Sequence, residues 1–463
     1  VRIATNYEAP RLPARLRYFA YNCLDAAITL GVFNQLQPEL DEVTERVYAF
    51  ERGMQGPAMT LQVRGICVDE KACWKAVQQV ERDEHKVEHV LNEIAQVWWG
   101  KTLNPRSPAQ LKVFLYERLG LPEQRNKKGD LFTGVEAIEA LQKKVPWADM
   151  ILRAILRARE LRKQLGFLRA KRSSDGKLRA SFNVGATETG RWSSSKNCFW
   201  EGLNFQNVYK KLRYIFIPSS GRKMGNADLK QAESLVVAHL SGDKGYIAAH
   251  RTKDTHTSVA KMIWAEHGWP GGDEDVAFAK KPGYYRHFSM RDLAKRFQHG
   301  TNYGASEYAM GRILHIPLAE ARKIINRYFS AFPGISQWHK AVKAELREYG
   351  VLTTPLGRRR QFYDRVWEGQ TQREGISYIP QSLVGDILNV GLYRVWREMD
   401  GDGLWILNQG HDSILFEYDP AREAEILARV RELMEVEVEI KGETVVIPVD
   451  IGTGDNWLEA CGD

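Results

Sequence analysis

The sequence predicts an α+β protein. Stretches of purely helical periodicity, at about 70–98 and 149–168, alternate with strand-bearing segments around 214–229 and 404–418. Residues 21–36 (YNCLDAAITLGVFNQL) read as a helix, and in the longer helical pattern Val87, Leu91, Ile94 and Trp98 are spaced by four, three and four. After the break Asn104-Pro105-Arg106-Ser107-Pro108, residues 109–119 and 149–168 are predicted helices. The second turns Ile151, Ile155, Ala158 and Leu165 toward a core and Arg153 and Arg157 elsewhere. Short strands follow, YIFIP and then, past a Ser-Ser-Gly turn, RKMGNADL, so Asp228 is expected where a strand ends. Helical spacing resumes over 231–240, and the stretch 268–283, rich in Gly, Pro and acids, reads as a surface insertion between two helical regions. Finally, Leu404–Leu407 and Ile414–Phe416 flank a polar turn, the pattern of a β-hairpin.

With 463 residues and 43% hydrophobic content, the chain can bury a large core and should divide into two to four lobes. No run approaches the roughly 20 apolar residues needed to cross a bilayer, and the first residues lack the apolar run of a secretory signal, so a soluble intracellular protein without membrane contact is expected. Five scattered cysteines without a C-x-x-C pair point to reduced thiols rather than disulfides or zinc. A start at Val1 suggests a processed protein or a fragment of a longer one. The net charge of +8 is unevenly spread: residues 150–214 hold 15 Lys/Arg against 4 Asp/Glu, which leaves the rest of the chain slightly acidic. Such a local excess suits a surface that meets a phosphate backbone; the alternative is a solvated basic helix face.

The most informative chemistry lies in the hairpin, whose turn Asn408-Gln409-Gly410-His411-Asp412-Ser413 carries a carboxylate. Asp412 there, with Asp228 at another strand end, could ligate hard cations, and a pair of magnesium ions is the standard device for phosphoryl transfer. Taken alone, each aspartate is equally at home as a local turn residue. A third feature adds weight: Arg291, Lys295, His299 and Tyr303 recur every four residues within a predicted helix around 287–304 and form one stripe. Two cations and two rings on one face could hold a triphosphate and cover sugar and base. Gly300 and Gly304 weaken that helix, a cost expected where backbone passes close to a ligand or strand. No G-x-x-x-x-G-K-[ST] segment is present, so a P-loop does not hold the nucleotide.

Three separated segments resemble, in order, the motifs of the family A, bacterial polymerase I-like DNA polymerases. Asp228-Leu229-Lys230-Gln231-Ala232-Glu233 is similar to motif A, Arg291-x3-Lys295-x7-Tyr303-Gly304 to motif B, and His411-Asp412-Ser413 to motif C. Thr189-Gly190-Arg191-Trp192-Ser193-Ser194, Asn204-Phe205-Gln206-Asn207, Asp254-Thr255-His256, Arg373 with Gln381, and Gly454-Asp455-Asn456-Trp457 extend the likeness over roughly residues 50–463. The resemblance implies a right-hand architecture with a sheet-containing palm and mainly helical thumb and fingers. The expected divisions are an exonuclease-domain remnant and linker (1–50), thumb (51–178), palm (179–243), fingers (244–350) and second palm segment (351–463). It implies template-directed DNA synthesis from dNTP on primer–template DNA, with two Mg2+ ions, for which Mn2+ can substitute, at Asp228 and Asp412. Lys295 would join the two aspartates in catalysis. Arg291, Lys295, His256 and Gln231 would meet the triphosphate, and His299 and Tyr303 its sugar and base. Glu233 would exclude a ribose 2′-hydroxyl. Arg191, Asn204, Gln206, Asn207, Arg373, Gln381 and His411 would contact DNA. A monomer is expected, with replication accessory proteins as further partners, in a cytoplasmic setting that is a nucleoid, a phage-infected cell or, alternatively, an organelle.

The departures from the family pattern matter too. His299 stands where Phe or Tyr is usual, Leu229, Lys230 and Ala232 replace Tyr, Ser and Ile in motif A, and Ser377 replaces Asn. Lys230 is expected to act on Asp228 as a neighbouring cation. Tyr21-x3-Asp25-x3-Thr29 is similar to the last metal-binding motif of a 3′ to 5′ exonuclease, yet no Asp-x-Glu precedes it, so proofreading is not expected of this chain. Two rival readings are an RNA polymerase or reverse transcriptase, opposed by Glu233 and by the lack of a Tyr-x-Asp-Asp turn, and a catalytically silent nucleic-acid clamp, which would need no paired carboxylates.

Overall fold

The computed structural model describes residues 14–126, 128–252, 254–285, 288–314 and 316–462, so residues 1–13 of the expected N-terminal segment and His287 of the predicted fingers helix lie outside the described residues. The chain forms two compact units, residues 56–239 with 384–463, and residues 1–55 with 240–383.

The first unit is built on a four-stranded antiparallel sheet of β1 (Lys223–Leu229), β2 (Leu404–Gln409), β3 (Ser413–Tyr418) and β4 (Val449–Gly454), in the order β4-β1-β3-β2. The two central strands are buried along most of their length; in β3 this shows as the apolar run Ile414–Phe416, whereas β1 is buried with Asn226 and Gly225 among its residues. A Cβ at Gly225 would meet the Phe416 ring at 2.4 Å, so only glycine lets β1 lie against that side chain. A bulge between Ile406 and Asn408 shifts the register of β2 just before the turn.

In the same unit α1 (Glu70–Trp99) packs on α2 (Asp149–Leu168). Asp69 caps α1 by accepting from the Ala72 N–H, and Gly100, at φ +69°, ends it. The inward set of α2 is as expected: Ile151, Ile155, Ala158 and Leu165 are buried, while Arg153 and Arg157 pair with Asp149 and Glu160 at 2.7 and 2.8 Å. On α1, Leu91 is buried and Val87 and Ile94 pack against the same core, but Trp98 faces outward and stacks on Trp147. The predicted helix 109–119 is regular only over Pro108–Lys112. Its continuation Val113–Arg118 widens, the Leu119 N–H reaching the Phe114 carbonyl, and this lets the consecutive residues Phe114, Leu115 and Tyr116 all enter the core. After β1 the chain enters α3 (Ala232–Ser241).

The second unit is largely helical, with α4 (Thr255–Ile263), α5 (Met290–Asn302), α6 (Leu318–Ala331) and α7 (Pro333–Tyr349). Its helix Glu42–Gly53 is tied to the hairpin Val351–Thr353/Arg359–Gln361 by the pairs Glu51–Arg358 and Asp41–Arg359. The stretch 268–283 is more than a loop: it contains the short helix Glu274–Ala279, whose Asp275 accepts hydrogen bonds from Lys261 at 2.6 Å and from the Gly271 N–H at 2.8 Å. A long helix, α8 (Gly369–Met399), starts in this unit and continues into the other.

Helix α5 begins with a capping box, Ser289 and Asp292 each accepting from the other's backbone N–H. It ends at Asn302. Gly300 in the helix also has a packing reason, since a Cβ there would lie 2.4 Å from the Met310 sulfur, and Gly304, just past its end, turns the chain at φ +69°. The inner face of α5 holds a buried polar network. Gln298 Nε2 and Asn302 Nδ2 donate to the Tyr246 hydroxyl at 2.7 and 2.9 Å, the Tyr328 hydroxyl donates to Asn302 Oδ1 at 2.7 Å, and His339 Nε2 donates to the Asn302 carbonyl at 3.0 Å. The side-chain amides of Gln298 and Asn302 are thus anchored on buried hydroxyls, which offsets the desolvation cost of placing them in the interior.

Burial depresses the His339 pKa from 6.5 to about 4, although its bond to Asn302 opposes the shift. An imidazole that stays neutral in the fold but protonates in the unfolded chain makes stability rise with pH between those two values. Lowering the pH from 6.5 to 4 should therefore remove on the order of 3 kcal/mol of stability through this group. His339→Gln, which can still donate to Asn302, should lose less than the wild type over that range in urea unfolding, and identical pH profiles would refute the assignment.

Candidate active site

The site in the first unit follows from strand pairing. β1 lies between β3 and β4, so Asp228 is in register with Ser413 on one side and with Asp450 on the other. Immediately beyond this register the Leu229 N–H donates to the Asp412 carbonyl at 2.9 Å, stitching the hairpin turn to the end of β1. Asp228 and Asp412, widely separated in sequence, thus line one cavity of about 580 Å³, together with Asp450, Arg213, Gln206 and His411.

The electrostatics of this cavity are strained. Burial, and then the negative charges of Asp412 and Asp450, push the Asp228 pKa up to about 7, with Arg213 the opposing cation. The Asp412 pKa is also raised, by burial first and further by Glu233, against His411 and Arg191. Asp412 and His411 are nonetheless open to solvent on one side: they are recessed in the cavity and not enclosed. Two carboxylates that resist ionising together, with oxygen donors only, form a set that a hard divalent cation would relieve. Among the described residues no three or more His, Cys, Asp or Glu side chains gather into an ion site.

Around the carboxylates the expected residues are held by one another. Arg191 donates to Glu233 at 2.6 Å, and both act electrostatically on His411, whose pKa burial lowers. Asn204 accepts from Ser194 at 2.8 Å and Gln206 donates to Gln409 Oε1 at 2.9 Å, whereas Asn207 is exposed. Gln231 occupies the turn between β1 and α3 at φ +51°, and its buried Oε1 has no hydrogen-bond partner among the described residues. A non-glycine residue in this region is strained, which suits a turn shaped for a site rather than for stability.

Lys230 does not act on Asp228 as anticipated from its position in sequence; it reaches Asp450 at 3.4 Å in an exposed pair. The cation that bears on Asp228 is Arg213, seated over the Trp457 ring with its carbon 4.8 Å from the centroid and donating to the Cys461 sulfur at 3.2 Å. Sequence reasoning missed both Arg213 and Asp450. The closing Gly454-Asp455-Asn456-Trp457 was the available signal, since the strand before it carries Asp450 and Trp457 supports Arg213.

The remaining expected residues belong to the second unit. Arg291, Lys295, His299 and Tyr303 line the solvent-facing side of α5, opposite its polar network, and the rings of His299 and Tyr303 meet edge to face at 5.2 Å. Arg291 is engaged through two nitrogens, with Nε 2.7 Å and Nη2 2.9 Å from the Asp254 carboxylate. Burial would raise Asp254, but the bonds from Arg291 and Thr257 outweigh it and hold its pKa at about 2. His256 Nδ1 lies 2.7 Å from Gln298 Oε1, and burial lowers its pKa, with Arg291 and Lys295 adding to the shift. Three nitrogen-bearing side chains, His256, Arg291 and Lys295, therefore share one electrostatic neighbourhood suited to polyanion binding. Arg373 is exposed, Gln381 half-buried, and Ser377 donates to the Glu374 carbonyl of its own helix at 3.1 Å.

Residues 75–459 match the profile of DNA polymerase family A. DNA polymerase I, thermostable, of Thermus filiformis is 30% identical over 94% of this chain and 51% of its own length. For DNA polymerase I of Deinococcus radiodurans the figures are 29%, 94% and 44%. The chain thus spans about half the length of these relatives. Among solved structures, the POL domain of Pol1 from M. smegmatis, in complex with DNA primer-template and dNTP, superposes with a TM-score of 0.72 at 26% identity, over 89% of this chain and 70% of that one. Since the family profile covers most of its length, the chain belongs to DNA polymerase family A.

Proposed function

We propose that this protein is a DNA-directed DNA polymerase that transfers a deoxynucleoside monophosphate from a dNTP to a primer 3′-hydroxyl. The observation that carries the reading is the meeting of Asp228 and Asp412 on paired strand ends in one cavity, with ionisation of both suppressed. These two side chains would hold a pair of magnesium ions. When bound, such a pair supplies activation of the attacking hydroxyl and neutralisation of the leaving oxygen. Arg291, Lys295 and His256 would bind the triphosphate and balance the charge that moves onto pyrophosphate. His299 and Tyr303 supply rings for sugar and base.

Glu233, fixed by Arg191, would occupy the space a ribose 2′-hydroxyl needs, so that a ribonucleotide meets both a clash and an unpaired polar group. Arg191, Asn204, Gln206, Asn207, Arg373, Gln381 and His411 would meet the primer and the minor groove, where acceptors common to all correct pairs allow shape to be checked without reading sequence. The basic 150–214 stretch would grip duplex phosphates. The division into palm, thumb and fingers, and the absence of proofreading, belong to the same proposal.

Extension of a labelled primer, with and without a 3′ mismatch, tests the reading. Asp228→Asn should lower extension by about three orders of magnitude or more while leaving primer–template affinity within about threefold, as expected for groups that act on transition-state charge. Undiminished extension would end the enzyme reading. In the same assay Glu233→Ala should raise the ratio of ribonucleotide to deoxynucleotide incorporation by at least about tenfold. A ratio equal to wild type would remove Glu233 from sugar selection.

A further inference from the structure

The loop between Ser195 and Gly202 carries two large rings with nothing to cover them. Phe199 and Trp200 are 71% and 78% exposed, and neither ring has an aromatic or cationic partner among the described residues. Trp200 also sits at φ +61°, a conformation that disfavours every L-residue with a side chain. The loop thus accepts two costs at one position, an exposed indole and a strained backbone.

The loop holding these rings is firmly built. The Asn197 side chain accepts from the N–H groups of Phe199 and Glu201 at 3.0 and 2.9 Å, and backbone bonds join Asn197 to Trp200 and Glu201 at 3.0 Å each. Its base is docked on the neighbouring basic segment: the Gly202 N–H donates to the Lys171 carbonyl at 2.7 Å, and Glu201 takes Lys171 at 3.0 Å and Ser173 at 3.2 Å. At Gly202 a Cβ would lie 1.5 Å from the Arg179 carbonyl oxygen, so the docking leaves no room for any other residue. Lys196 lies three residues before Phe199, and Lys177, which acts on the Asp175 carboxylate, belongs to the basic segment on which the loop is docked. The rings therefore project from the most basic stretch of the chain, the one with 15 Lys/Arg against 4 Asp/Glu.

We propose that the Phe199–Trp200 tip is a nucleobase-stacking contact of this protein with its DNA, the rings lying against a base face while Lys177 and Lys196 meet the adjacent phosphates. Exposed aromatic faces interleaved with lysines are what a nucleic acid offers partners for: the ring finds a π-face on any base, without sequence preference, and the lysines find backbone charge. A protein partner for the same rings would need an apolar or acidic surface and would leave DNA affinity untouched. The contact rests on the polymerase reading only for the identity of its partner.

Binding of a fluorescent primer–template to the full chain, followed by anisotropy over a range of salt concentrations, tests it. Phe199→Ala/Trp200→Ala should weaken binding by at least about tenfold with the salt slope unchanged, because no phosphate contact is lost. Trp200→Gly should weaken binding while melting no earlier than wild type, since glycine relieves the backbone strain. Trp200→Phe should restore most of the affinity. Wild-type affinity in both the double variant and Trp200→Gly, or a loss accompanied by a shallower salt slope, would overturn the proposal. At saturating DNA the double variant should extend primers at the wild-type rate. Equal affinity with intact extension removes the stacking contact and leaves the polymerase reading in place, whereas aromatic-dependent binding without extension in the wild type does the reverse.

Discussion

The antiparallel pairing of β1 with β3 is the constraint from which the rest of the first unit follows. Strand register is specified to a single residue wherever a face is buried, and here it brings a carboxylate at one strand end beside a carboxylate at a hairpin turn. Their mutual repulsion is not relieved locally. It is contained, by Arg213 on its tryptophan seat and by a sheet whose core is too well packed to let β1 slip. A fold that holds two like charges together in this way has traded stability for a site with high affinity for positive charge.

The second unit solves a different problem. A helix that shows arginine, lysine, histidine and tyrosine to solvent on one side has few apolar residues left with which to anchor itself. Alongside Leu293 and Phe297, α5 uses the hydrogen-bonded set around Tyr246 and Asn302, in which direction matters as much as proximity. Asp254 then orients Arg291 from outside the helix, so the fork is fixed before any anion arrives.

Much of this was legible in the residues. Periodicity located α1 and α2, and apolar runs around a polar turn located β2 and β3, because both signals arise from burial of a whole face. Spaced motifs singled out Asp228 and Asp412, which line one cavity, and the α5 stripe, which faces solvent. What sequence reasoning missed depended on tertiary packing. Trp98 continues a helical stripe but finds its partner in Trp147 at the surface. Gly300 answers to Met310, a neighbour that no local pattern names. Lys230 is two positions from Asp228 and still serves Asp450, since a long side chain pairs with the carboxylate the sheet brings nearest and not with the one closest in sequence.

The orientation of one amide has a further consequence. Gln298 spends its nitrogen on the Tyr246 phenol, so only its oxygen is turned toward the ring of His256. An oxygen can only accept, so the imidazole holds a hydrogen on Nδ1 in either charge state, and Nε2 can donate to a phosphate only when the ring is protonated. The tautomer of a half-exposed histidine is in this sense dictated from the interior, by a phenol it never touches.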